Sequence, residues 1–437
     1  MQSSRRSFLV GSAITAAVSR SAIGANDRIG FALIGAGSRG SHMASVFTDF
    51  EDVNLLAVCD VFKPNRDAQA TKLGAKTKGS PEAVGDYRRV LDRKDVDALL
   101  VTTPDHWHGP IVIEASQAAK DCYVEKPLSN TIEMGQKMRA AVRQYKRVVQ
   151  VGLQQRSWLH FQENAKRIQD GMIGNVYQVD CMYTGNYTRD PGPPTAPPEG
   201  LDWEMFQGNA ERRPYTNMRQ RSWRAFYDYS GGTLLDWGTH LTDITNWYMN
   251  VEAPLTCSGS GQYVRAPVLP EMLPDTLSVT WKYPKFVMTY KNNVESMPDW
   301  DIQGNHFTGT GGWLHVNRTE YRVRAVAGRG QAPAPAAAVR GQAAPAVGVV
   351  PPAGRGGAGR GAPAPPRFEP ITERFRYDGN PSDHAHVRNF LDCVKSRQDP
   401  IVSIDTGFYS TLPTLMAVLA VRYDKTYAWK GTQAVAV

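Results

Sequence analysis

Residues 28 to 60 read RIGFALIGAGSRGSHMASVFTDFEDVNLLAVCD, and the fold is decided there. An apolar run leads into Gly35-Ala36-Gly37-Ser38-Arg39-Gly40, and a segment of helical character follows. A lone Gly-x-Gly-x-x-Gly says little. Here it sits between two predicted strands, the second of which, Val53 to Asp60, ends in an acid 20 residues after Gly40. Each glycine then has a task. Gly35 permits a tight turn, Gly37 lets backbone N–H groups approach a pyrophosphate at a helix N-terminus, and Gly40 lets helix and strand pack closely. Asp60 can accept hydrogen bonds from an adenosine ribose and would repel a 2′-phosphate, which favours NAD; the cation of Arg39 leaves NADP open.

Working outward, Asp97 to Thr103 reads as another strand and ends in Pro104-Asp105-His106-Trp107-His108. After a helical stretch, Asp121 to Val124 leads into Glu125-Lys126-Pro127. Strand, helix, strand repeats build a doubly wound parallel sheet, whose ligands lie at the carboxyl ends of the strands. Pro104 and Lys126 both fall at such ends. Taken alone, Lys126 is as readily a solvated loop charge.

Beyond residue 150 the chain becomes rich in Trp, Tyr and Met, and a proline-rich loop occupies residues 190 to 200. Residues 221 to 249 read RSWRAFYDYSGGTLLDWGTHLTDITNWYM. Gly231-Gly232 makes a turn and a helix is predicted from about Thr233, with Asp236, His240 and Asp243 on one face. A carboxylate one turn from an imidazole can orient it and raise its basicity. By itself such a pair is as readily a capping or bridging contact.

The order Gly-x-Gly-x-x-Gly, Thr-Pro-x-x-x-His, Glu-Lys-Pro, then Gly-Gly-x-x-x-Asp-x-x-x-His resembles the Gfo/Idh/MocA family, whose name combines glucose-fructose oxidoreductase, inositol dehydrogenase and a rhizopine-catabolism protein. The match covers most of residues 28 to 325 and continues weakly in HAHVRNFLDCVKSRQDPIVSIDTG, residues 384 to 407. The resemblance implies an α/β chain, an N-terminal Rossmann domain followed by an α/β domain on a large open mixed sheet, with substrate between them. It places Lys126, Asp236 and His240 on the family's catalytic positions. It sets Thr103, Pro104, His106 and His108 in the loop bordering the nicotinamide. The expected cofactor contacts are therefore Gly35, Gly37, Ser38, Arg39, Gly40, Asp60, Thr103, Pro104, His106, Glu125 and Lys126. Family members are commonly dimers or tetramers through the sheet, so a homodimer or homotetramer is expected.

Hydride transfer between nicotinamide and a carbinol carbon needs the alcohol proton removed as the hydride leaves. His240, whose ordinary pKa lies near neutrality, is the expected acid/base, Lys126 the group that stabilises developing alkoxide charge, and Asp236 an orienting partner or a second hydroxyl ligand. Trp223, Arg224 and Tyr227, with His108 and the earlier Tyr183 and Tyr187, suit a polyol or pyranose, whose C–H faces stack on rings; core packing competes for most of these aromatics. His106, His108, Asp236 and His240 could form a mixed metal site, but hydride chemistry in this family needs no metal, and none is expected. The function expected is NAD(P)-dependent oxidation or reduction of a sugar, glycoside or cyclitol. The alternatives are a redox-neutral NAD-dependent glycoside hydrolase or lyase working through a transient 3-keto species, and a sugar-binding protein without turnover.

The 437 residues predict two to three domains, and their formal charge is +8. Arg5, Arg6 and Arg20 in residues 1 to 25, with Arg329, Arg340, Arg355, Arg360 and Arg367 in residues 326 to 367, account for all of it, since neither segment holds an acid. The body left is neutral, which argues against a nucleic-acid face and suits a small carbohydrate. Five cysteines without a Cys-x-x-Cys indicate neither a disulfide framework nor a thiolate zinc site. The divisions drawn are a twin-arginine signal at 1–25, a Rossmann domain at 26–150, and a substrate and oligomerisation domain at 151–437 carrying a disordered insertion at 326–367. The signal implies a periplasmic or extracellular protein without stable membrane insertion. Export without an external NAD pool implies a dinucleotide that is retained rather than exchanged.

Overall fold

The computed structural model describes residues 28–293, 303–326, 370–376 and 383–437. The signal at 1–25 and nearly all of the 326–367 insertion lie outside the described residues. The first sheet comprises β1 (Ile29–Ile34), β2 (Val53–Cys59), β3 (Glu82–Val84), β4 (Ala98–Val101), β5 (Asp121–Val124) and β6 (Val149–Val151). Its order is β3-β2-β1-β4-β5-β6 and every pair is parallel. The sequences explain this: IGFALI, ALLV and DCYV are buried at every position, as strands covered on both faces must be. Strand order reverses between β1 and β4, which opens a crevice beyond their carboxyl ends.

The last part of the chain returns to this sheet. Helix Asp383–Ser396 buries Val387, Phe390 and Leu391 in the same cluster as Phe31, Phe47 and Tyr123. The Phe390 ring lies 6.0 Å from Phe47 and 5.9 Å from Tyr123. A boundary at residue 150 therefore leaves out one helix of the first domain's own core.

The second sheet comprises β7 (Val176–Thr184), β8 (Thr256–Gln262), β9 (Thr276–Lys282), β10 (Val287–Asn293), β11 (Gly304–Gly309), β12 (Gly312–Val316), β13 (Glu320–Val326), β14 (Pro370–Arg376), β15 (Tyr427–Trp429) and β16 (Ala434–Ala436). Their order is β14-β13-β12-β11-β7-β10-β9-β8-β15-β16, and β7 with β10 is the parallel pair in an otherwise antiparallel sheet. The expected large mixed sheet is thus observed. One face is apolar by alternation: in β9, Leu277, Val279 and Trp281 are buried while Ser278, Thr280 and Lys282 are exposed. Val326 pairs with Pro370, so the insertion's flanks meet on adjacent strands at the sheet's outer edge.

Helices Gly232–Met249 and Ile404–Tyr423 cover that apolar face and pack against each other. The second is long and apolar enough to cross a membrane, yet Leu412, Leu415, Met416 and Ala417 are buried inside the protein. Its Pro413 lacks the N–H that would serve the carbonyl of Tyr409, and Asn246 Nδ2 donates to that oxygen at 3.0 Å instead. The first is buried almost all round, so its Asp236, His240 and Asp243 lie where each polar atom needs a partner. All five cysteines are buried and free.

Candidate active site

A cavity of about 950 Å³ lies at the carboxyl ends of β1, β2 and β4, lined by the glycine loop, Asp60, Thr103, Pro104 and Trp107. Gly35 has φ +94°, open to glycine but strained for other residues. Gly37 precedes helix Ser38–Phe47, and no atom lies within 4 Å of where its Cβ would stand. That emptiness, beside a helix N-terminus without a side-chain cap, fits a pyrophosphate approaching backbone amides. Asp60 accepts from the amides of Ala36 at 2.7 Å and Phe62 at 2.8 Å, which aims its carboxylate into the cavity. Burial raises its pKa. These residues fit a dinucleotide.

Arg39 lines this cavity, but its charge is already engaged. Its Nε donates to Glu125 Oε1 at 2.7 Å and its guanidinium to Asp383 Oδ2 at 3.0 Å, so two carboxylates hold it between the end of β5 and the returning helix. It is not a free cation awaiting a 2′-phosphate.

A second cavity of about 710 Å³ adjoins the first and shares Arg39, Thr102, Thr103, Trp223 and Arg224 with it. Lys126, Asp236 and His240 all line it, from β5's end and helix Gly232–Met249. Lys126 Nζ donates to Asp236 Oδ1, and at 3.3 Å to the Asp236 carbonyl. Tyr187 donates to Asp236 Oδ2 at 2.5 Å, and Arg224 Nε lies 3.4 Å from Oδ1. Burial raises the Asp236 pKa, but Lys126 and Arg224 outweigh it and hold the carboxyl well below its usual range. Asp236 therefore orients Lys126, not the imidazole one turn along. Among the described residues His240 has no hydrogen-bond partner, and its Nδ1 is buried. Burial first, then the charges of Arg318 and Lys126, depress its pKa far below the ordinary histidine value. A neutral imidazole thus faces the cavity with a lone pair to offer.

Three sequence expectations need correction. His106 lines neither cavity: its Nε2 contacts the Phe206 carbonyl at 3.0 Å and its ring lies 5.0 Å from Tyr229. Tyr227 lies under the guanidinium of Arg422 at 4.6 Å, away from both cavities. His108 does border the second cavity, but its ring nitrogens meet the carbonyls of Pro127 at 2.8 Å and Thr103 at 3.0 Å. It ties the ends of β4 and β5 together and so positions Lys126. Asp243 shares that helix face as expected but lies two turns along from Asp236, beyond the cavity, where it binds Arg156 Nε at 2.8 Å and the Ser410 hydroxyl at 2.6 Å. No group of His, Cys, Asp or Glu suited to a metal occurs among the described residues.

Arg318 and Asp105 are among the residues of the cavity that carried no expected role. Asp105 is 3% exposed, its Oδ2 accepts from Ser230 at 2.5 Å, and burial raises its pKa to about 7. A raised carboxyl binds its proton more tightly in the folded state, so stability falls as pH rises from the ordinary carboxyl range toward 7, by about 1.4 kcal/mol for each unit crossed. Asp105→Asn, which keeps an acceptor for Ser230, should gain stability over the parent at pH 8 and not at pH 4. Melting curves at both pH values check this; a gain independent of pH defeats it.

The comparisons agree with this architecture. The profile described as "Oxidoreductase family, NAD-binding Rossmann fold", of the Gfo/Idh/MocA group, matches residues 29–153, and the family's "C-terminal alpha/beta domain" matches residues 138–258. The scyllo-inositol 2-dehydrogenase (NAD(+)) of Bacillus subtilis (strain 168) is 26% identical over 239 residues, 54% of this chain and 58% of that protein. A glycosyl hydrolase family 109 protein of Shewanella sp. (strain W3-18-1) is 36% identical over 110 residues, 24% of each chain. The chain thus spans from a quarter to somewhat over half of these curated relatives. A levoglucosan dehydrogenase, solved with NADH and levoglucosan, superposes with a TM-score of 0.64 at 16% identity over 91% of this chain and 98% of that one, a likeness of fold.

Proposed function

The chain belongs to the Gfo/Idh/MocA family of oxidoreductases, and we propose that it transfers hydride between NAD and a carbinol carbon of a sugar, glycoside or cyclitol. The observation that carries this is the continuity of the two cavities: the glycine-loop cleft opens directly onto Lys126 and His240. When bound, NAD supplies the hydride acceptor. Lys126, fixed by Asp236, donates to the substrate hydroxyl and steadies negative charge as it develops on that oxygen. The neutral His240 takes the proton. Asp60 and the pairing of Arg39 with Glu125 and Asp383 support NAD over NADP.

The likeness to a family 109 glycosyl hydrolase favours a second reading, in which oxidation, elimination and re-reduction occur within one glycoside and the dinucleotide ends as it began. The chain's Arg5-Arg6 pair before a short apolar run supports twin-arginine export to the periplasm or beyond, with the cofactor bound beforehand and retained. The outward face of the second sheet, exposing Tyr177, Ser278 and Thr280, supports a homo-oligomer. The decisive experiment incubates purified protein with a panel of sugars, cyclitols and glycosides while following NADH absorbance and product mass. NADH that accumulates is the expected result, cleavage without accumulation establishes the second reading, and neither outcome with any compound overturns both.

A further inference from the structure

We propose that the substrate is an acidic carbohydrate whose carboxylate is bound by Arg318. This rests on the hydride-transfer reading of the same cavity and narrows its substrate class. Arg318 lies between β12 and β13 and borders both the Lys126–His240 cavity and a neighbouring one of about 660 Å³. Its guanidinium carbon stands 4.3 Å from the centre of the Trp237 ring, while Tyr183 stacks on that ring at 4.5 Å and 20°. Two groups that close to one centroid must take opposite faces. The guanidinium carbon is thus held over the indole face opposite Tyr183, and its planar fork of N–H donors is the group that grips a carboxylate.

The charges sharpen the case. Every other cation of the cavity has its carboxylate: Arg39 has Glu125 and Asp383, and Lys126 and Arg224 share Asp236. Among the described residues Arg318 has no ion-pair partner, and its Nε is buried without an acceptor. The nearest acids that act on it, Asp236, Asp383 and Glu125, are those already engaged. Burial and the charge of Arg39 both work against its own positive charge. A desolvated, unpaired guanidinium is costly, and an anion arriving with substrate offsets that cost. A single Arg with no second free cation suits a monoanionic carboxylate better than a phosphate dianion. Gln155, 4% exposed with an orphaned Oε1, offers a further polar contact in the neighbouring cavity.

The test compares matched pairs, glucuronate with glucose and galacturonate with galactose, as free sugars and as methyl glycosides. Binding is read from tryptophan fluorescence in the parent protein, Arg318→Gln and Arg318→Lys. At least one uronate should bind the parent about 10- to 100-fold more tightly than its neutral partner, the scale of a charge-assisted pair. Arg318→Gln should abolish that preference with NAD affinity unchanged, and Arg318→Lys should keep part of it. Uronates that bind no better than their neutral partners, or a preference that survives in Arg318→Gln, overturn the proposal. NADH absorbance in the same samples separates the two readings. Neutral sugars reduced or oxidised without uronate preference leave hydride transfer standing and end this inference, whereas Arg318-dependent uronate binding without any redox change does the reverse.

Discussion

Lys126→Ala should lower turnover by about two or more orders of magnitude while NAD still binds. The ammonium is the donor placed to meet a substrate oxygen in this cavity, and Asp236 and the Asp236 carbonyl fix where it points. Truncation removes that donor at the step where charge develops on oxygen. It leaves the dinucleotide cleft alone, since the glycine loop and Asp60 do not touch Lys126. Folding should also survive, because Asp236 keeps Tyr187 at 2.5 Å and Arg224 at 3.4 Å as partners. Arg in place of Lys would retain the charge but not the compact point donor, so Lys126→Arg should recover little. Single-turnover measurement of NADH, alongside NAD titration, separates chemistry from binding. Full activity in Lys126→Ala sinks the assignment, and a loss of NAD affinity equal to the loss of rate would mean that the residue holds cofactor rather than substrate.

The parts of this fold legible in the sequence are those where backbone geometry dictates residue type. Gly35 and Gly40 announce the turn because a side chain at either is strained or clashes, Gly37 announces the open approach to the helix amides, and uninterrupted apolar runs announce strands buried on both faces. Lys126, Asp236 and His240 were found by their place in ordered motifs, and the structure brings all three to one cavity. What spacing could not reveal is where each side chain turns. Asp236 and His240 share a helix face at the i, i+4 interval, yet Asp236 is drawn to a lysine 110 residues earlier, since an opposite charge across the cavity outweighs a neutral ring one turn away. His106 and His108 are adjacent to cofactor-lining residues, but the first turn of helix Asp105–Gln117 turns both rings onto backbone carbonyls and takes His106 out of both cavities. Arg318 and helix Asp383–Ser396 were missed for a related reason. Their partners lie far off in the chain, and no local pattern records a contact between residues 39 and 383. For Arg318 a signal did exist, a lone Arg in a strand-linking turn of an otherwise neutral body, but surface arginines look the same.

Alanine at Gly37 and alanine at Gly40 should fail in opposite ways. At Gly40 the new Cβ would stand 2.0 Å from the Gly35 carbonyl oxygen and 2.6 Å from Thr102 Oγ1. The first is backbone, itself hydrogen-bonded by Thr102 at 2.6 Å, so β1 and helix Ser38–Phe47 must move apart. The cost should be about 3 kcal/mol or more, the upper range for forcing a methyl into a packed interior, and it should appear as a lower melting temperature with or without NAD. At Gly37 φ is −70° and a Cβ meets nothing within 4 Å, so the protein without dinucleotide should be as stable as the parent or slightly more so. The empty space there is the approach to the amides of the helix N-terminus. A methyl in it holds a pyrophosphate off by more than a hydrogen bond tolerates, and NAD affinity should fall by about one to two orders of magnitude. Calorimetric unfolding and NAD titration, both on protein stripped of bound dinucleotide, give the four numbers needed. Gly37→Ala that binds NAD like the parent would show that the loop is a structural turn alone, and would move the cofactor, and with it the hydride chemistry assigned to Lys126 and His240, away from this crevice.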